Sequence, residues 1–136
     1  MLRHFGFKPA IEDLVVKWNS TVDLKISLEL VDMNERFSDD LEKALFRMCQ
    51  ELLNNSIRHG SAKHVYVQVI NHGDSIVLMV EDDGIGFDPK SISSGLGLRN
   101  IWSRAEVFEG QVEIDSGPEK GTVTTVEIPL SNSLRQ

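Results

Sequence analysis

Three polar residues between positions 51 and 59 have types and spacing that could do chemistry. Glu51, Asn55 and Arg58 recur at intervals of four and three residues, so that in an α-helix they share one narrow face. A carboxylate, an amide and a guanidinium would then be offered to any ligand at the edge of the core. An ordinary amphipathic helix with a solvated side explains this stretch equally well when it is taken alone.

A second candidate is Asp82, at the end of an alternating apolar segment. By that alternation it shares a face with three apolar residues, Ile76, Leu78 and Val80. A carboxylate at the edge of a core needs hydrogen-bond donors. One interpretation is that Asp82 accepts from an amino group of a planar ligand, while Gly84 and Gly86 allow close approach of the backbone. The other is a turn or capping aspartate followed by flexible glycines.

A third candidate is a glycine-containing run before a helix, formed by Gly95, Leu96, Gly97 and Leu98. Free N–H groups and the positive end of a helix dipole suit an anion such as phosphate. The dinucleotide fingerprint is excluded because Asn100 stands where a third glycine is needed, and no Gly-Lys-Ser/Thr sequence of the Walker type occurs. Lys90 and Arg99 lie near this run and could meet phosphate oxygens, although a single surface lysine is usually only solvated.

Periodicity predicts the elements that must position these residues. Helices are predicted from Pro9 to about Trp18, from Ser38 or Asp39 to near Gly60, and from about Gly97. Alternating segments predict strands near residues 24–30, 65–69, 76–80, 112–114 and 123–128. About three helices and five strands, with hairpins at the turns, predict an α/β two-layer sandwich with helices on one face of a mixed or antiparallel sheet.

Composition limits the class of protein. A chain of 136 residues fits one domain, and its net charge of −7 argues against nucleic acid or an anionic membrane as partner. The single cysteine, Cys49, excludes an internal disulfide. No apolar run reaches the length that crosses a bilayer, so a soluble and cytoplasmic fragment is expected, or the cytosolic part of a longer membrane-bound protein. The fragment itself is expected to be monomeric.

Together these stretches resemble the conserved boxes of the ATP-binding catalytic domain of sensor histidine kinases, a superfamily shared with type II topoisomerases, a heat-shock chaperone and mismatch-repair ATPases. Residues 51–59 resemble the N box, Asp82 with its two glycines the G1 box, and residues 95–98 the G2 box. Residues 116–122 resemble the terminal Gly-Thr turn, and the whole resemblance covers about residues 24–130. The short lid is most similar to kinases of the nitrate-sensor and desaturase-sensor kind.

The resemblance implies a Bergerat-type fold and a role for each residue. Asp82 would bind the adenine amino group with support from Thr122, and Asn55 would coordinate Mg²⁺. Glu51 would lie near the metal's water shell or act as base for an incoming imidazole. Nucleotide contacts would also come from the rest of the boxes: Arg58, His59, Gly84, Gly86, Lys90, Gly95, Leu96, Gly97 and Leu98.

The chain departs from the family pattern in two ways. Asp83 replaces the usual asparagine of the G1 box and is expected to face away from the triphosphate. No phosphoacceptor segment is recognised, so residues 1–20 are expected to follow a missing dimerisation and histidine-phosphotransfer domain, with residues 21–136 as the catalytic domain. The implied function is transfer of the γ-phosphoryl of ATP to a histidine on that domain, for relay to a response regulator. Alternatives are a regulatory nucleotide-binding module and a serine kinase acting on an anti-sigma-factor antagonist.

Overall fold

The computed structural model describes residues 2–59, 62–86, 98–117 and 120–136, without the side chains of Arg3 and His59. Its helices are α1 (Leu2–Phe5), α2 (Phe7–Thr21), α3 (Asp39–His59) and α4 (Leu98–Val107). Its strands are β1 (Lys25–Val31), β2 (His64–Asn71), β3 (Ser75–Asp82), β4 (Gln111–Ser116) and β5 (Thr122–Pro129). A 3₁₀ turn covers Asn132–Leu134. The three longer helices and five strands predicted from periodicity are confirmed.

The five strands form one mixed sheet in the order β1-β2-β3-β5-β4. The β1 and β2 strands are parallel, and the other neighbouring pairs are antiparallel. Parallel neighbours need a crossover connection, which α3 provides between β1 and β2. The hairpins β2–β3 and β4–β5 are joined through the pairing of β3 with β5, which places the ends of both hairpins side by side.

The core lies between the helices and one face of this sheet. Alternate residues of the central strands are buried, namely Val65, Val67, Val69, Ile76, Leu78, Val80, Val126 and Ile128. The matching stripe on α3 is also buried, and its members are Leu41, Ala44, Leu45, Met48 and Leu52. Burial of both stripes supplies the main apolar stabilisation and fixes which face of α3 lies against the sheet. The predicted α/β two-layer sandwich is therefore confirmed.

The start of α3 follows the predicted capping chemistry. The hydroxyl of Ser38 accepts from the backbone N–H of Leu41 at 3.3 Å. Asp39, Asp40 and Glu42 place negative charge in the first turn, where it interacts favourably with the helix dipole. The cap and the buried stripe together determine the rotation of the helix that carries Glu51 and Asn55.

The segment before β1 is anchored to the same helix. Four residues of α2 are buried, namely Phe7, Ala10, Ile11 and Val15. Glu42, 3% exposed, accepts from the backbone N–H of Phe7 at 3.1 Å and from Nε of Arg36 at 3.1 and 3.2 Å. A buried carboxylate is tolerated because it has such partners. Helix α2 therefore packs as part of the domain core.

The burial of Cys49 and the polarity of the helices are two further features of the fold. Cys49 is fully buried, and burial raises the pKa of its thiol, so the reactive thiolate is scarce at neutral pH. In the part of the chain that the structure describes, no helix is both long and apolar enough to span a membrane.

Candidate functional site

Asp82 is a buried carboxylate at the end of β3 and has two donors. Its side chain is 8% exposed, on the same face as Ile76 and Val80, as the alternation predicts. The hydroxyl of Ser56 donates to Oδ2 at 2.8 Å, and the backbone N–H of Gly84 donates to Oδ1 at 3.0 Å. Each carboxylate oxygen has lone pairs for a second donor. Asp82 is thus held in one orientation and retains capacity to accept from a ligand.

Ser56 reaches Asp82 because of its position on α3. It follows Leu52 by four residues, so it extends the buried stripe over β3 and is itself 4% exposed. Ser56 is not among the site residues predicted from the sequence. A hydroxyl in line with an apolar stripe was the signal that could have identified it, because a buried hydroxyl needs a partner across the core.

Thr122 lies opposite Asp82 on the neighbouring strand, β5. The two residues are direct partners in the antiparallel pairing of β3 and β5. The hydroxyl of Ser116 donates to the carbonyl of Gly121 at 3.0 Å and lies 2.8 Å from Oγ1 of Thr122. Since that serine proton is directed to Gly121, Thr122 is the donor between the two hydroxyls. This contact holds the threonine side chain beside Asp82.

Two glycines bring the end of β3 against the β4–β5 turn. Gly86 has φ 69°, and a Cβ there would lie 2.0 Å from the carbonyl oxygen of Gly117. Gly121 has φ 76°, and its Cβ would lie 2.3 Å from the carbonyl oxygen of Asp82. Glycine is required at both positions because a side chain would strain the backbone and clash with a carbonyl. Both glycines therefore fix the position of Asp82 relative to Thr122.

Glu51 and Asn55 lie one turn apart on the partly exposed face of α3, as predicted. Oε1 of Glu51 accepts from Nη2 of Arg104, on α4, at 3.5 Å. Glu51 and Arg104 also border a cleft of about 680 Å³ between the helices, whose other lining residues are Leu14, Lys17, Trp18, Thr21, Arg47, Gln50 and Asn54. The arrangement places the carboxylate of Glu51 at the wall of an open cleft, whereas Asn55, one turn further along α3, is not among the residues that line it.

The remaining predicted site residues are distributed as follows. Arg58 is exposed on the last turns of α3, and His59 ends that helix. Leu98 is 4% exposed and belongs to the core, so its side chain packs inside the domain. Lys90, Gly95, Leu96 and Gly97 lie outside the described residues, and their predicted contacts stay predictions.

Asp83 is exposed, and its carboxylate accepts hydrogen bonds from the backbone at the start of β2. Its Oδ1 accepts from the N–H groups of Lys63 at 2.8 Å and His64 at 2.9 Å. The N–H of His64 and then that of Lys63 lower the pKa of Asp83. Because Asp82 is buried and Asp83 is exposed, the two adjacent carboxylates have different surroundings, and the orientation of Asp83 relative to a triphosphate stays a prediction.

Comparison with known proteins identifies the family. Residues 40–132 match the model of the histidine kinase-, DNA gyrase B- and HSP90-like ATPases. This match covers α3 apart from its first residue, the site residues predicted from the sequence and the whole of β2 to β5. The chain therefore belongs to the family of histidine kinase-, DNA gyrase B- and HSP90-like ATPases.

Similar curated proteins are much longer than this chain. An uncharacterized sensor-like histidine kinase of Chloroflexus aurantiacus is 33% identical over 141 residues, which span 97% of this chain and 24% of that protein. The signal transduction histidine-protein kinase/phosphatase DegS of Brevibacillus brevis is 29% identical, over 96% of this chain and 34% of its own length. Sensor histidine kinase ComP of Bacillus subtilis is 31% identical, over 96% and 17%.

Solved structures share the fold. The histidine kinase AdeS of Acinetobacter baumannii has a TM-score of 0.73 at 19% identity, covering 94% of this chain and 66% of that one. The histidine kinase domain of the blue-light activated kinase from Erythrobacter litoralis EL346 has a TM-score of 0.70 at 19% identity, covering 92% and 60%. The arrangement of α3 and the mixed sheet is thus the one found in histidine kinase structures.

Proposed function

We propose that this chain is the ATP-binding catalytic domain of a sensor histidine kinase. It transfers the γ-phosphoryl of ATP to a histidine on a separate dimerisation and histidine-phosphotransfer domain, for relay to a response regulator. The observation that carries the proposal is the buried carboxylate of Asp82, which two donors orient and which keeps acceptor capacity, in a chain of the histidine kinase-like ATPase family.

The adenine base is assigned to Asp82. An exocyclic amino group is a donor, and the lone pairs that remain on the Asp82 oxygens are matched acceptors. Thr122, the cross-strand partner of Asp82, adds a hydroxyl beside the same position. Guanine carries a carbonyl oxygen where adenine has its amino group, so a buried carboxylate there repels guanine and favours adenine.

Replacing Ser56 by alanine tests the support given to Asp82. Loss of the 2.8 Å hydrogen bond should lower the free energy of unfolding by about 1 kcal/mol and weaken binding of an ATP analogue a few-fold, because the carboxylate loses one of its fixed donors. Chemical denaturation and calorimetric titration measure the two effects. Ser103→Ala, at an exposed position on α4, is the matched control. If the Ser56→Ala variant and the unmodified protein bound the ATP analogue equally well, Ser56 would have no role in orienting Asp82 for the nucleotide.

The phosphate end of the site is assigned to α3 and the G2 segment. Asn55 and Glu51 offer oxygen ligands of the hard type that Mg²⁺ prefers, and Mg²⁺ commonly takes one or two protein ligands together with phosphate oxygens and water. The donor set therefore fits this ion when nucleotide is present, with Asn55 as the protein ligand. Bound Mg²⁺ would neutralise charge on the phosphates. Lys90, Arg58 and His59 are proposed to contact the nucleotide near its phosphates, together with the backbone of the run from Gly95 to Leu98, because the side chain of Leu98 lies in the core.

Glu51 is proposed as the base of the transfer. A nitrogen lone pair of the acceptor imidazole attacks the γ-phosphorus, and the bond between that phosphorus and the β–γ bridging oxygen breaks. ADP leaves with the electron pair of that bond, and the proton that the imidazole ring loses passes to Glu51. Glu51 lies at the wall of the 680 Å³ cleft, from which an acceptor can approach.

The partner domains follow from the proposed reaction. The acceptor histidine belongs to the dimerisation domain of the full-length kinase, and residues 1–20, whose helix α2 packs in the core of this domain, are proposed to follow that dimerisation domain in the chain. The long relatives, of which this chain spans 24% and 34%, support a multidomain protein. The domain is proposed to act in the cytoplasm, where ATP and a response regulator are available.

Calorimetric titration with a non-hydrolysable ATP analogue tests the proposal. Saturable binding that is stronger with Mg²⁺ and absent with the matching GTP analogue is expected. Binding should be followed by transfer from radiolabelled ATP to an added dimerisation domain from one of the named kinases. Absence of binding at millimolar analogue, or equal affinity for the GTP analogue, would overturn the assignment.

A further inference from the structure

Glu51 and Arg104 form an ion pair between the helices, and that pair is incomplete. The distance from Nη2 of Arg104 to Oε1 of Glu51 is 3.5 Å, at the long end for a hydrogen bond. Oε2 of Glu51 and Nε of Arg104 are shielded from solvent and have no hydrogen-bond partner among the described residues. Each such atom loses its hydration without compensation, which a structure normally avoids.

The identity of these two atoms is informative. An arginine can bind a carboxylate through two parallel hydrogen bonds, and Nε and Nη2 lie on the same edge of its guanidinium group. Here only one of the two bonds is present. Arg104 therefore holds the Glu51 carboxylate through Oε1 alone, while Oε2 is shielded from solvent and receives no hydrogen bond from the described residues.

We propose that Arg104 is a positioning residue for phosphoryl transfer: its contact with Oε1 holds the Glu51 carboxylate, whose side chain is 23% exposed, at the wall of the cleft, where the carboxylate receives the proton of the acceptor imidazole. The inference rests on the function proposed above, in which Glu51 is the base. Arg104 acts through Glu51 in this scheme and has no contact of its own with the phosphoryl group. Misplacement of a catalytic base by about 1 Å can slow a reaction substantially. Loss of the Arg104 contact should therefore slow phosphoryl transfer without changing nucleotide affinity.

The position of Arg104 on α4 adds a link to the nucleotide side. Helix α4 begins at Leu98, the last residue of the run that resembles the G2 box, and Leu98, Ile101 and Ala105 anchor it in the core. Arg104 precedes Ala105 on this helix, and its guanidinium group contacts the carboxylate of Glu51 on α3. One rigid helix therefore carries both the end of the predicted phosphate-binding segment and the group that orients Glu51.

A double-mutant cycle tests the inference. Arg104→Met, Glu51→Gln and the double variant are compared in single-turnover transfer from ATP to an added dimerisation domain, at saturating ATP. Arg104→Met should slow transfer at least ten-fold while affinity for the ATP analogue changes less than three-fold. In the Glu51→Gln background the same substitution should change the rate less than two-fold, because the orienting contact no longer serves a base.

Two more variants separate positioning from other roles. Arg104→Lys keeps a cationic donor and should restore part of the rate, which would remain informative if Arg104→Met reduced the melting temperature. Lys43→Met removes an exposed cation of α3 that does not line this cleft, and should leave transfer within two-fold of the unmodified protein.

The outcomes distinguish this inference from the proposed function. If the unmodified protein neither binds the analogue nor transfers phosphate, the proposed function fails. If the unmodified protein transfers normally and Arg104→Met matches it, or loses the same factor with and without Glu51, the positioning role fails while the kinase assignment stands.

Discussion

Replacement of Glu51 by glutamine is expected to slow phosphoryl transfer to an acceptor histidine by about 100-fold or more, the usual range for loss of a general base. The amide keeps the size of the side chain, and its oxygen can still accept from Arg104. It cannot take up the imidazole proton. Affinity for the ATP analogue should therefore stay within about two-fold. Rapid-quench measurement of phosphohistidine formation gives the rate, and calorimetry gives the affinity.

A control at another helical glutamate distinguishes the role of the base from a general effect of charge. Glu106 is exposed on α4, and Glu106→Gln makes the same change in net charge. That variant should transfer at the unmodified rate. Transfer at full rate by the Glu51→Gln variant would show that the proton leaves by another route.

The fold could be predicted from the sequence because its signals are local. The period-two segments of β2, β3 and β5 and the period-3.6 stripe of α3 are readable without knowledge of their partners. The strand order could not be predicted from the sequence, since the pairing of β3 with β5 joins segments about 45 residues apart. The parallel pair β1–β2 was also not specified, because a predicted strand carries no sign of its direction relative to its neighbour.

The site was predicted where its residues belong to one element or one motif. Asp82 and Glu51 are placed by the local periodicity of β3 and α3, and the observed burial of Asp82 agrees with that prediction. Ser56 and Arg104 were missed because each becomes part of the site through a contact between elements, at separations of 26 and 53 residues. Such contacts depend on helix rotation and packing, which spacing along the chain does not define.

The glycines illustrate a different limit. From the sequence, Gly86 is predicted to allow close approach of the backbone to a ligand, and in the structure it also lies so close to the carbonyl of Gly117 that a Cβ would meet that oxygen at 2.0 Å. A glycine pattern indicates that the backbone must come close to something. Only the three-dimensional arrangement shows that, here, the backbone of a second hairpin occupies this position.

Replacement of Asp82 by asparagine is expected to weaken binding of the ATP analogue by about 1–3 kcal/mol, a loss of roughly 5- to 150-fold. The amide turns one acceptor into a donor. If that NH₂ group faces the adenine amino group or the N–H of Gly84, two donors face each other. If it faces Ser56, the serine oxygen can accept from it, but the serine proton then loses the acceptor that it has in the structure. Each orientation leaves a buried donor without an acceptor. Calorimetric titration at fixed Mg²⁺ measures the affinity.

The neighbouring carboxylate provides the matched control for this prediction. Asp83→Asn makes the same chemical change one residue away, on an exposed side chain whose partners are the N–H groups of Lys63 and His64. Its amide oxygen can still accept from those groups, so ATP affinity should change by less than two-fold. If both variants bound the analogue as tightly as the unmodified protein, adenine recognition would have to depend on other residues. If both lost affinity equally, the effect would be one of total charge near the phosphates, because only a specific contact separates a buried carboxylate from its exposed neighbour.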